Sequence, residues 1–190
     1  MFNNSKLGID YQEFLNIYTT YKKTGKVDLS KITFFKPSSL LPLHIFISKE
    51  NINPDLIILP EDNNARTYYQ YMSGDHEKYM YDGATYIPII KIPTKKANND
   101  LEPQKLISQN MSHLLDKINE DGNVIPIGVT QAIRYLSGEL IDNVYQHSEF
   151  VNSWIMAQCY SKKKYLDLSI IDDGITIPGS LENECYSYPS

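Results

Sequence analysis

The chain has 190 residues, 42% of them hydrophobic, and a formal net charge of −5 at pH 7, enough for one or two domains with a sizeable core. Residues 1–100 carry 12 Lys+Arg against 11 Asp+Glu, and residues 101–190 carry 6 against 12, which argues against a basic nucleic-acid surface. No apolar run approaches the roughly 18 residues of a membrane span, and the first residues, MFNNSKLGIDYQEF, lack the basic-then-apolar layout of a signal peptide, so a cytoplasmic protein is expected.

Asp10 followed by Glu13 has the spacing of a capping box. Tyr11, Phe14, Leu15 and Tyr18 then give a helical apolar face to about Lys22, and Gly25 ends it. Ile32 to Phe35 reads as a short strand. Pro37 suits a first helical turn, and an apolar helix follows to Ile47. His44 within it reads as a structural histidine. Asp55 to Leu59, between Pro54 and Pro60, is predicted as a strand, and Asn63 to Met72 as a helix. The aromatics of that helix read as packing, because no Arg/Lys groove accompanies them. Tyr86 to Ile92 is a further strand, with Pro88 pointing to a sheet edge. This order argues for an α/β domain over 1–95. The polar stretch Pro93 to Gln104 holds two prolines and supplies a linker at 96–104, before a second domain at 105–190. Lys105 to Asn119 is predicted as a helix.

From Thr130 to Ser148 the period is helical again. Ile133, Leu136, Leu140 and Val144 form one apolar stripe, and Glu139, Asn143 and His147 form a polar stripe beside it. An amide oxygen is a hard ligand suited to magnesium, and a carboxylate can orient or deprotonate a water. A solvated helix edge accounts for the same spacing. Val151 to Tyr160 and Tyr165 to Asp172 read as two strands joined by a hairpin at Ser161-Lys162-Lys163-Lys164. Leu166, Leu168, Ile170 and Asp172 then share one face. Gly174 permits close backbone approach, although Asp173-Gly174 alone reads as an ordinary turn. Cys159 and Cys185 fit no metal spacing, and Cys159 reads as core.

The segment ELIDNVYQH resembles the N box of the GHKL superfamily, which holds histidine kinases, gyrase-type ATPases and anti-sigma kinases. IIDDGITIPGSL resembles that family's G1 box, and the order and intervening hairpin agree. The resemblance covers about residues 105–182. It implies a Bergerat-type α/β sandwich that binds ATP and Mg2+. Asn143 would then coordinate magnesium and Glu139 would be the general base. Asp172 would accept from the adenine amino group, with Gly174 letting the backbone approach the base. His147 and Thr176 would lie near the nucleotide. Thr176 stands where the family usually has a second glycine, and Gln146 where kinases often have a basic residue. The chain stops at Ser190, before any glycine-rich G2 box or ATP lid.

By its layout, VDLSKITFFKPSSLLPL followed by ARTYYQYMSG, the N-terminal part resembles the STAS-like domains that precede some GHKL domains. That implies protein binding rather than catalysis. His113, on a helix upstream of the N box, is where a histidine kinase would carry its phosphoacceptor, but the residues that usually follow are missing. The expected function is nucleotide binding coupled to a protein partner, through the STAS-like part or self-association. An ATPase, an anti-sigma-type protein kinase and a non-catalytic interaction module all remain open. These 190 residues are themselves expected to show no turnover.

Overall fold

The computed structural model describes residues 4–74, 85–92, 109, 111–116, 127–147 and 151–174. Contacts divide the chain into two compact units, residues 1–75 with 167–169 and residues 76–166 with 170–190. The fold is mixed α/β. Among the described residues there are five helices, a small parallel sheet and a three-stranded antiparallel sheet.

The first unit runs α1 (Asn4–Thr24), β1 (Val27–Asp28), α2 (Pro37–Lys49), β2 (Ile57–Ile58) and α3 (Asn63–Met72). α1 begins upstream of Asp10, so the Asp10/Glu13 pair lies inside the helix rather than capping it. Its end is as expected. Gly25 adopts φ 71°, and its N–H donates to the Tyr21 carbonyl at 2.7 Å, a left-handed cap that glycine adopts without strain. The aromatics of α1 converge on Phe46 of α2. Ring centroids of Phe14, Tyr18 and Tyr21 lie 6.1, 5.4 and 5.3 Å from it, each nearly edge-on, the geometry that ring quadrupoles favour.

β1 and β2 pair in parallel, Val27 with Ile57 and Asp28 with Ile58, with α2 between them in the chain. Two expected strands are displaced. Ile32 to Phe35 forms none, because the Ile32 N–H turns back onto the Leu29 carbonyl at 2.9 Å. Ile32 and Phe35 are buried and the two residues between them exposed, so the segment is apolar for packing rather than for pairing. Asp55 to Leu59 starts as a 3-10 turn at Pro54–Leu56. Asn53 Oδ1 accepts from the Asp55 N–H at 3.0 Å and Pro54 begins the turn, so only Ile57 and Ile58 extend.

The second unit holds β3 (Tyr86–Ile92), α4 (residues 111–116), α5 (Ile127–His147), β4 (Ser153–Tyr160) and both ends of β5 (Tyr165–Asp172), whose residues 167–169 group with the first unit. Its strand order is β3-β4-β5. β3 was expected in the first domain, yet it pairs antiparallel with β4. Near-continuous burial drives this: Ile87, Ile89, Ile90 and Ile92 of β3, and Ile155, Met156, Ala157 and Cys159 of β4, are all buried. The register slips by one residue between Ile87 and Ile90. Pro88 sits in that slip, where its missing N–H costs the ladder nothing. Among the described strands β3 is an edge, as Pro88 suggests. The segment expected as a linker, 96–104, lies outside the described residues.

Candidate functional site

The α5 helix buries a different face from the one its leucines predict. Ser137, Ile141 and Val144 are buried, with Thr130 and Ile133 partly so. Leu136 and Leu140 are 58% and 49% exposed, and Tyr135 is 66% exposed. The buried row is 130, 133, 137, 141, 144, itself a good helical stripe. It includes a serine because the Ser137 hydroxyl donates to the Ile133 carbonyl at 2.7 Å, which satisfies its one proton within the helix.

This turns the polar stripe outward. Glu139 lies roughly 200° round the helix from Ser137, and both Glu139 and Asn143 are exposed. The stripe was expected at the edge of the buried face; Glu139 and Asn143 stand instead on the open face, beside Leu136 and Leu140. Among the described residues neither Glu139 nor Asn143 has a hydrogen-bond or ion-pair partner, so both are available to a ligand. His147 is the last residue of α5, and its side chain lies outside the described residues.

The end of β5 is more committed. The Asp173 carboxylate accepts from the backbone N–H groups of Val151 and Asn152 at 3.0 and 2.6 Å and from the Asn152 amide at 2.8 Å. The Asp173 N–H returns a bond to the Asn152 carbonyl at 3.0 Å. Asp173 is therefore a clamp that ties the exit of β5 to the entry of β4. The Asp-Gly pair reads as a turn in sequence, and this long-range role has no local signal.

Asp172 differs from its neighbour. Its Oδ1 accepts from the Gly174 N–H at 2.9 Å, a tight turn in which the carboxylate holds its own backbone. Its Oδ2 has no partner among the described residues, and the side chain is half-buried. Asp172 and Gly174 are joined by this local bond. No hydrogen bond or ion pair joins Asp172 to Glu139 or Asn143. Thr176 lies outside the described residues.

A further polar group sits at this end of the sheet. Ser153 is fully buried, and its hydroxyl has no hydrogen-bond partner. In sequence it is only a small polar residue within the strand expected over Val151 to Tyr160. Counting back through the hairpin would have placed it across from Asp172. No protein-family model, curated protein or solved structure matches the chain.

Proposed function

We propose that the second unit binds an adenine nucleotide with magnesium, in the manner of the GHKL ATPases that its two motifs resemble. The observation that carries this reading is the geometry at the end of β5. Asp172 has one oxygen fixed on Gly174 and the other free. A half-buried carboxylate with one directed, unused acceptor suits an exocyclic amino group and disfavours a carbonyl at the same place. Asn143 and Glu139, exposed, unpartnered and one turn apart on α5, suit the phosphate end.

Asn143 Oδ1 fits a magnesium ligand in chemistry. Among the described residues, no group of three or more His, Cys, Asp or Glu side chains could hold a metal alone. Magnesium here would need phosphate oxygens and waters for its remaining positions, which is how it usually binds nucleotides. The ion would neutralise phosphate charge, and Glu139 would orient water or a protein hydroxyl toward the terminal phosphate. His147 and Thr176 are assigned near the nucleotide on the motif resemblance alone.

A second reading is a nucleotide-responsive interaction module without turnover. The first unit supports it. Its β1–α2–β2–α3 order, with β1 and β2 parallel, is compatible with a STAS-like domain that binds proteins, and the exposed Tyr135, Leu136 and Leu140 offer apolar surface on α5. In both readings the protein works in the cytoplasm, and no described helix is long and apolar enough to cross a membrane. Calorimetry with Mg-ATP tests the shared core of the two. Asn143→Ala is expected to abolish the magnesium-dependent part of binding and leave the melting curve unchanged, because the residue is exposed. Unaltered Mg-ATP affinity in that variant would remove Asn143 from the site.

A further inference from the structure

Ser153 and Asp172 are cross-strand neighbours. The Asp173 N–H bonds the Asn152 carbonyl, which pairs residues whose numbers sum to 325 in an antiparallel ladder. The hairpin agrees: Tyr160 and Tyr165 obey the same sum, and their rings stack at 5.6 Å. In that register Ser153 stands opposite Asp172, and directly opposed residues project from the same face of the sheet. On the other side Ser153 pairs with Ile92 of β3. The row across the sheet is therefore Ile92, Ser153, Asp172. Its central hydroxyl is buried with no partner, flanked by an apolar side chain and by a carboxylate with one oxygen unused.

An unpaired buried hydroxyl is a cost that a protein rarely carries without a use. Along this row the only polar side chain beside it is Asp172. From the structure we infer that Ser153 is a positioning residue for Asp172, donating its O–H to the free carboxylate oxygen when a flat base covers the site. The inference deepens the proposed nucleotide site and rests on that reading. The physical reason is desolvation. Asp172 is half-buried, so water still reaches it. A base stacked over it removes that water, and a carboxylate stripped of water needs replacement donors. Gly174 N–H supplies one and the 6-amino group of an adenine ring a second. Rotation about the Ser153 Cα–Cβ bond supplies the third without moving the backbone. The fixed carboxylate then offers its remaining acceptor sites in one direction, which favours a 6-aminopurine over a 6-oxopurine.

The test is a double-mutant cycle on the full 190-residue chain, with ATP and GTP as probes in calorimetry and thermal melts run alongside. Ser153→Ala removes only the hydroxyl and is expected to melt no lower than the parent, since the lost group had no partner. It is expected to bind ATP about tenfold more weakly, the loss of one hydrogen bond to a charged group, with the preference for ATP over GTP reduced. In an Asp172→Asn background the same substitution is expected to cost nothing further, because its effect passes through the carboxylate. If Asp172→Asn weakens ATP binding but Ser153→Ala does not, the role of Ser153 is overturned and the nucleotide site stands. Equal losses in both backgrounds would likewise overturn it, as would a lowered melting temperature that accounts for the whole effect. A parent chain that binds no adenine nucleotide overturns the site and this inference together.

Discussion

The two units share short turn-forming carboxylates but differ in the polar groups around them. In the first, short carboxylates and amides close on their own backbone. Asp28 Oδ1 accepts from the Ser30 N–H at 2.9 Å, Asn53 Oδ1 from Asp55, and Asp62 Oδ1 from the Ala65 N–H at 2.8 Å, where it caps α3. These bonds fix turns and helix starts. In the second unit Glu139, Asn143, the second oxygen of Asp172 and the Ser153 hydroxyl are all uncommitted. Turn and cap bonds in one unit, beside a buried hydroxyl without a partner next to Asp172 in the other, separate a scaffold from a candidate site. The single tryptophan helps here. Trp154 lies buried in β4, so its fluorescence follows the second unit, while circular dichroism follows both.

The largest effect should come from Asp173, whose carboxylate holds three donors. Asp173→Ala removes three accepted bonds, and bonds to a charged acceptor contribute about 1.5–3 kcal/mol each at best, with strong overlap among neighbours. A loss of about 3 kcal/mol is expected in urea unfolding followed by Trp154 fluorescence. A midpoint unchanged from the parent would mean that the clamp is incidental. Asp172→Asn, one residue away, should do the reverse. Stability is expected to change little, while adenine-nucleotide affinity falls about tenfold to a hundredfold, because an amide can present its NH2 where an acceptor is needed. Equal binding of ATP and GTP by the parent would contradict the role given to Asp172.

A smaller effect belongs to the first unit. Asp62→Ala removes the α3 cap, and such losses cost about 1 kcal/mol. The early part of the circular dichroism melt is expected to shift down, with neither the Trp154 transition nor ATP affinity altered. If nucleotide binding weakened as well, the contrast between scaffold and site would fail.

The elements set by strong local signals were readable in the chain. α3 spans the residues predicted for it, since Asp62 caps it and Ala65, Tyr69 and Met72 give it a buried face. β5 does too, held by its alternation and by the hairpin, in which Lys164 takes the left-handed turn position at φ 51°. What escaped was set by distant partners. Leu136 and Leu140 promise the buried face of α5, and only the Ser137–Ile133 bond reveals that a serine can replace them there. β3 lies nearer in sequence to the first unit, and nothing local announces its pairing with β4. At the site, a turn at Asp173-Gly174 was legible, and Asp172 closes it on the Gly174 N–H. The Asp173 clamp and the orphan Ser153 were not, because each depends on β4 lying beside β5. Glu139 and Asn143 were legible as residues with spare capacity, but not as residues on the open side of their helix.

The smallest expected effect concerns His44, again in the first unit. It sits half-buried on α2, and desolvation holds its pKa below the ordinary histidine value of about 6.5. The folded chain therefore resists protonating it, whereas the unfolded chain protonates it readily. Between the lowered folded value and the unfolded one, the unfolded state binds more protons, so stability rises with pH across that window. The contribution is fully present above the unfolded value and is lost as pH falls through the folded one. His44→Gln cannot titrate, so it should flatten this part of the profile. Melting temperatures by circular dichroism at a series of pH values from about 7.5 down to about 5 should fall more steeply in the parent than in the variant. The difference should be missing from the Trp154 transition, because that probe reports the other unit. Parallel profiles would show that His44 reaches water more freely than its surroundings suggest. A divergence that appeared in the tryptophan signal instead would break the comparison itself, since the two units would then be unfolding as one.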